Sequence, residues 1–169
     1  VTTAMGKRLI GKGIAQLPEI QDVLETGTLV IIAGTTNGYV AEEMLAAGGQ
    51  SEGFTRQGFR RGAVTPPGTE PEDAWGEFDG DVIIEHGRWA RGKTIFDAGD
   101  DLGPNDVVLK GANALDLRRR QAAILVGHPQ LGTSAPAISA AVGRRARLIV
   151  PVGLAKRVEG PLESLAAIL

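Results

Sequence analysis

The sequence predicts a mixed α/β domain built on a mainly parallel sheet with helices on both faces, and three observations carry that prediction. The segment TLVIIAG, Thr28 to Gly34, is a β-branched apolar run of strand length without polar alternation, the pattern of a strand buried on both faces. It passes at once through the small polar loop GTTNG into YVAEEMLAAGG, where Val40, Met44 and Leu45 form a helical stripe that ends at Gly48. The same theme returns near the end, where GHPQLGTSAP leads into a helical pattern and then into the apolar run Leu148 to Val152.

The remaining elements follow in order. A first helix is expected from Met5 to Gln16, with Leu9, Ile10, Ile14 and Leu17 at helical spacing. Gly6, Gly11 and Gly13 weaken it by about 1 kcal/mol each relative to alanine. A second helix starts at Pro18, a residue favoured in a first helical turn, and stops at Gly27. Residues 50–80 are rich in Gly, Pro and charge and are expected to form a loop-rich excursion, with GAV at Gly62 to Val64 its one apolar run. Short strands are expected at Asp81 to Glu85, Lys93 to Phe96 and Asp106 to Leu109, the last preceded by a turn centred on Pro104-Asn105. KGANALD then forms a loop, a further strand runs from Ala123 to Val126, a helix passes through Ala137, Ile138, Ala141 and Val142, and a last helix begins at Pro161. With no repeat or linker, residues 1–169 are expected to form a single domain.

Composition excludes several classes of function. A hydrophobic content of 43% with 22% charged residues fits a chain that buries a real core. The net charge of −2 offers no footprint for nucleic acid or for an anionic membrane. No apolar run approaches the ~18 residues of a membrane span, and the opening VTTAMGKRLIGKG lacks the apolar core of a secretory leader, so a cytoplasmic location is expected. The chain has no cysteine, which removes disulfides, thiolate metal sites and cysteine nucleophiles. With His86 and His128 the sole histidines, neither a metal site nor a cofactor is expected.

Ligands of an open parallel sheet bind beyond the carboxyl ends of its strands, and four loops are expected there. Gly34, Thr35, Thr36 and Asn37 offer backbone N–H groups, hydroxyls and a helix start, which suit a phosphate or carboxylate; the same residues also suit a plain helix cap. Gly132, Thr133 and Ser134 carry the same two readings. Lys110, Gly111 and Asn113 follow a buried strand, and Lys156 completes a ring of anion contacts. The chain contains no Walker A loop, no GxGxxG and no GxSxG elbow. Glu85 and His86 form either an acid/base pair or a solvated turn, and Asp97, Asp100 and Asp101 either a hard-cation site or an acidic turn. The clusters Arg118 to Arg120 and Arg144, Arg145, Arg147 read either as phosphate contacts or as exposed rims, and Trp75 and Trp89 as covers for the core's edge or a subunit contact.

In their order, AGTTNGYVAEEML, DVVLKGANALD and GTSAPAISAAVGRRARLIVPVGLAKRV resemble the NagB/RpiA/CoA-transferase-like superfamily, which includes type A ribose-5-phosphate isomerase and deoxyribose-operon-repressor-type sensor domains. The resemblance covers Thr28 to Leu45 and Asp106 to Val158. It implies a three-layer Rossmann-like fold, a sugar phosphate held at Gly34, Thr35 and Thr36, and a phosphate-contacting lysine at Lys156. KGANALD falls on the loop that reads approximately DGADEID in ribose-phosphate isomerase, so Lys110, Asn113 and Ala114 stand where that enzyme has acids, and Asp116 keeps one. Aldose–ketose isomerisation needs a positioned carboxylate base, which Asn113 cannot be, so ribose-5-phosphate isomerase activity itself is not expected. Isomerase-like chemistry would fall to Asp116 or to the Glu85/His86 pair. The expected partner is a small anionic metabolite in a homo-oligomeric protein; the alternative is a non-catalytic regulatory or assembly subunit that retains the fold.

Overall fold

The computed structural model describes residues 1–61 and 80–168, so Gly62 to Val64 and Trp75 lie outside the described residues. Leu29, Val30 and Ile31 of strand β1 (Thr28–Ile31) have no exposed surface, because the strand lies at the centre of a five-stranded sheet. The order is β3 (Arg88–Trp89), β2 (Val82–Glu85), β1, β4 (Val107–Leu109), β7 (Arg147–Ile149). β1, β4 and β7 are parallel neighbours. β2 runs antiparallel to both β1 and β3, so it alone opposes the common direction.

The side chains of β1 alternate between two cores. Leu29 and Ile31 pack with Ile14, Ile20, Val40 and Leu45, supplied by α1 (Thr3–Ala15), α2 (Pro18–Thr26) and α3 (Asn37–Ala47). Val30 and Ile32 pack instead with Ile95 and Ala98 of α4 (Ile95–Ala98), Ala137 of α5 (Ser134–Ile138) and Ala140 of the π-helical turn Ser139–Gly143 that continues it. Helices therefore cover both faces, which is why the strand reads as uninterrupted apolar sequence. Each fully buried Val, Leu or Ile among them contributes about 1.5–3 kcal/mol by leaving water.

Gly11 gives up helix propensity for close packing. A Cβ there would lie 2.9 Å from the Tyr39 carbonyl oxygen, so α1 meets the backbone of α3 at that glycine. Thr2 caps the same helix by accepting from the Met5 N–H at 3.2 Å.

Three expectations are corrected. Lys93 to Phe96 is not a strand: Thr94 and Asp97 form a reciprocal capping box, with the Thr94 N–H donating to Asp97 Oδ2 at 2.7 Å, and this starts α4. Ala123 to Val126 does not join the main sheet; β6 (Gln121–Ala123) pairs with β5 (Ala114–Asp116) in a separate two-stranded hairpin, so KGANALD ends in strand. The last sheet strand begins at Arg147 and ends at Ile149, since its ladder partner β4 is equally short. The β2–β3 hairpin turns at His86 and Gly87, with φ of 48° and 77°. Positive φ at both central residues is the geometry of a type I′ turn.

Candidate functional site: a basic cleft at the carboxyl edge of the sheet

β1 leads into α3 on one face, whereas β4 leads through the β5–β6 hairpin to α5 on the other. The chain thus diverges between the carboxyl ends of β1 and β4, where open α/β sheets leave a crevice. Asn37, the first residue of α3, spans that gap: its Nδ2 donates to the Ile32 carbonyl at 2.8 Å and to the Leu109 carbonyl at 3.0 Å. Its Oδ1 is buried and has no hydrogen-bond partner among the described residues. Asp81, also buried, fixes the exit of β1: Oδ1 accepts from the Ala33 N–H at 2.8 Å and from Arg61 Nε at 3.2 Å, and Oδ2 accepts from the Ile95 N–H at 2.8 Å.

Positive charge collects on the α1/α3 side. Lys7 of α1 is half-buried, and its Nζ donates to Thr35 Oγ1 at 3.0 Å. Burial, followed by the nearby charges of Lys156 and Arg56, pushes the Lys7 ammonium below the usual lysine range. Arg56 stacks 4.1 Å from the centroid of the Tyr39 ring and pairs with Glu42 at 2.9 Å. Gly38 makes room for it, since a Cβ there would lie 2.6 Å from Arg56 Cγ. Glu42 and Glu43 are both engaged by Arg8, so among the described residues Lys7 and Lys156 have no carboxylate partner. Lys7, Thr35, Tyr39, Arg56, Phe59 and Arg60 line a cleft of about 270 Å³. Arg60 Nε is buried there without a hydrogen-bond partner among the described residues.

On the α5 side, Lys110 Nζ donates to Thr133 Oγ1 at 2.9 Å. Burial lowers its pKa, Asp81 opposes that effect, and Arg61 adds to it.

No protein-family model, curated protein or solved structure matches the chain.

The structure brings Thr35, Lys110 and Thr133 to one edge of the sheet. Thr35 and Lys110 follow the carboxyl ends of adjacent parallel strands, and Lys156 lies within electrostatic reach of Lys7. Gly34 and Gly111 border this edge with room for a Cβ at ordinary contact distance, so neither glycine is there for clearance. Thr36 precedes α3 without capping it by its side chain. Gly132 adopts a φ of 52° in the turn before α5, and Ser134 is buried in the first turn of that helix. Asn113 braces the hairpin instead of facing the cleft: its Oδ1 accepts from the Leu125 N–H at 3.0 Å, and its own N–H donates to the Ala123 carbonyl at 2.8 Å.

The proposed acid/base residues are not at this crevice. Glu85 stands opposite Thr28, and the His86 N–H donates to the Gly27 carbonyl at 2.9 Å, which puts both at the amino end of β1. The antiparallel direction of β2 is the reason, because its carboxyl end points away from the loops that follow β1 and β4. Asp116 closes the β5–β6 turn. Its Oδ1 accepts from the Arg118 and Arg119 N–H groups at 2.9 and 3.1 Å, and its Oδ2 pairs with Arg119 at 2.9 Å. These bonds, the Arg119 backbone contact foremost, hold its carboxyl below the usual aspartate range. It lines a second cleft of about 350 Å³ with Arg118, Arg119 and Arg157.

The other open readings divide in the same way. Asp97 belongs to the α4 capping box and Asp100 pairs with Arg144, so neither waits for a cation; among the described residues no three His, Asp or Glu side chains converge. Trp89 stacks with Arg91 at 4.1 Å and meets Phe54 edge-on, at the border of the core. Among the described residues no helix is long and apolar enough to cross a membrane. Sequence reasoning missed Lys7, Arg56, Arg60 and Asp81. A glycine inside an apolar-periodic helix hints that α1 lies against another backbone, and Lys7 stands one turn before it; Arg56 and Arg60 carry no local signal.

Proposed function

We propose that the chain binds a small phosphorylated or carboxylated metabolite at the carboxyl ends of β1 and β4. The observation that carries this reading is Lys7, a half-buried ammonium that donates to the Thr35 hydroxyl, lies within electrostatic reach of Lys156 and has no carboxylate partner among the described residues. Burying like charges without a counter-ion is unfavourable, so an arrangement that does so gains most from a guest that supplies the missing negative charge. A three-layer Rossmann-like assignment to the NagB/RpiA/CoA-transferase-like superfamily is consistent with helices on both faces of a sheet whose central strands are parallel, and we retain it as part of the proposal.

One observation favours binding over catalysis. Among the described residues, the carboxylates near the crevice are already engaged: Asp81 by two backbone N–H groups and Arg61, Glu42 and Glu43 by arginines. Among the described residues none is free to act as the base that aldose–ketose isomerisation requires. The reading is therefore a ligand-sensing or assembly subunit. Titration of inorganic phosphate against the unfolding temperature tests it: stabilisation that saturates in the wild type and disappears in Lys7→Met supports the cleft. Equal stabilisation of both proteins, or of neither, overturns it.

A further inference from the structure

The cleft beside α1 offers an amine as well as an anion site, and its lining residues divide the two tasks. Lys7, Thr35, Tyr39, Arg56, Phe59 and Arg60 bound about 270 Å³. That is below the roughly 300 Å³ at which pockets for drug-sized ligands begin, so the guest is a short molecule. Arg56 is committed, because it stacks on Tyr39 and pairs with Glu42 at 2.9 Å. Arg60 is not: its Nε is buried with no hydrogen-bond partner among the described residues, which leaves a guanidinium donor for an anion. Lys7 Nζ donates to the Thr35 hydroxyl at 3.0 Å and has no carboxylate partner among the described residues. Burial, and then the like charges of Lys156 and Arg56, disfavour its protonated form. The other lysines make the contrast. Lys93 bonds to Glu85 at 2.7 Å, which favours its ammonium, and Lys110, although held by Thr133, has Asp81 within reach to do the same.

A lysine is a nucleophile only as the free amine, and burial beside other cations is the arrangement that supplies the amine near neutral pH. Resting on the anion-binding reading above, we propose that Lys7 forms a reversible imine with a short phosphorylated aldehyde or ketone, whose phosphate is held by Arg60. The Nζ lone pair adds to the carbonyl carbon while one proton passes from nitrogen to the carbonyl oxygen, giving a carbinolamine. Thr35 Oγ1, 3.0 Å from Nζ, is placed to relay that proton. A proton from solvent then joins the hydroxyl, the carbon–oxygen bond breaks, and water leaves as the nitrogen lone pair closes the double bond. One water is released, one proton is taken up, and nothing is oxidised or reduced. The iminium carries the same positive charge as the ammonium form of Lys7, so the attraction for the phosphate persists.

Reductive trapping tests this. The wild type is incubated with dihydroxyacetone phosphate or with dihydroxyacetone, each in the presence of cyanoborohydride, which reduces an imine to a stable secondary amine. Peptide mass spectrometry then locates the labelled lysine, with the exposed Lys12 and Lys93 as internal references. With dihydroxyacetone phosphate, Lys7 is expected to be labelled at least about tenfold faster than either, because the cleft holds the carbonyl against Nζ. Dihydroxyacetone is expected to lose that preference, and so is Arg60→Met with the phosphorylated probe. Lys7→Arg, which keeps the charge but forms no imine, is expected to show no label at residue 7 while retaining saturable stabilisation by inorganic phosphate. Labelling of Lys7 no faster than that of Lys12 and Lys93 overturns the imine, and saturable stabilisation of the wild type by inorganic phosphate then leaves the anion site standing. An equal preference for Lys7 with both probes overturns the assignment of the phosphate to Arg60. Absence of that phosphate stabilisation overturns the anion-binding reading itself. The wild-type comparison needs no variant to fold.

Discussion

Asn37 Nδ2 donates to the Leu109 carbonyl at 3.0 Å, across 72 residues of sequence, and to the Ile32 carbonyl at 2.8 Å. One fully buried amide thereby ties the ends of two parallel strands to the start of α3 and sets the width of the crevice beside which Lys7 and Lys110 stand. Asn37→Ala leaves the Ile32 carbonyl without this donor and the Leu109 carbonyl with the Ile32 N–H alone, and is expected to destabilise the fold by about 1–3 kcal/mol. Asn37→Asp is expected to cost more, because it sets a carboxylate against two carbonyl oxygens. Urea unfolding measures both, and an aspartate variant as stable as the wild type contradicts the assigned bonds.

The three glycines of α1 make a graded prediction. Gly6 and Gly13 have nothing within 4 Å of a built Cβ, so Gly6→Ala and Gly13→Ala should each stabilise by about 0.5–1 kcal/mol through helix propensity. Gly11→Ala places its methyl 2.9 Å from the Tyr39 carbonyl oxygen, which is backbone and cannot rotate away. It should destabilise despite the same propensity gain. Thermal unfolding of the three single variants separates the two outcomes, and an equally stabilising Gly11→Ala would remove the close α1–α3 contact.

Lys7 should trade stability for binding. Its folded pKa lies below the unfolded value, because burial and then Lys156 and Arg56 disfavour the charged form. The unfolded chain therefore holds more protons between the two values, and this residue's contribution makes stability rise as pH rises through that window. Lys7→Met, which removes the charge, is expected to be slightly more stable than the wild type at neutral pH without ligand and to bind phosphate about tenfold more weakly or worse. A variant that loses stability and keeps its phosphate affinity contradicts both halves.

Asp116 has the opposite sign. Its folded pKa is depressed, chiefly by hydrogen bonds from Arg119, so its stabilisation is complete above the ordinary aspartate value and fades as pH falls through the folded one. Asp116→Asn should lower the unfolding temperature at pH 7 and approach the wild type in strong acid. Because Asp116 closes a turn away from Lys7, phosphate binding should be unaffected. A loss of phosphate binding in Asp116→Asn returns this residue to the site.

The hairpin at the other end of the sheet provides a control. His86 adopts a φ of 48° and Gly87 one of 77°. His86→Asn suits the first position of a type I′ turn and should be neutral or mildly stabilising, whereas Gly87→Ala should cost about 1 kcal/mol. Neither change should alter ligand affinity, and an altered affinity in His86→Asn would place the turn in the site after all.

By itself the sequence determined which segments bury their side chains and where the chain turns. The apolar run of β1, the small loop behind it and the stripe of α3 are local patterns, set by strand burial on both faces and by helical periodicity, and they located Thr35, Lys110 and Lys156 at strand or helix ends. Tertiary structure decided which of those ends share an edge. The antiparallel course of β2 carried Glu85 and His86 to the far side, although their distance from a strand end looked the same in one dimension. The capping box turned TIF from strand to helix, because two hydrogen bonds at Thr94 outweigh a weak β preference over a few residues. Lys7 and Arg56, from an opening helix and a loop, meet at the cleft where Gly11 and Gly38 let backbone and side chain come close. Electrostatic pairing depends on distance through space, and for Asp116, closed by its own turn, and for Lys7, without an acid partner among the described residues, no spacing along the chain encodes that distance.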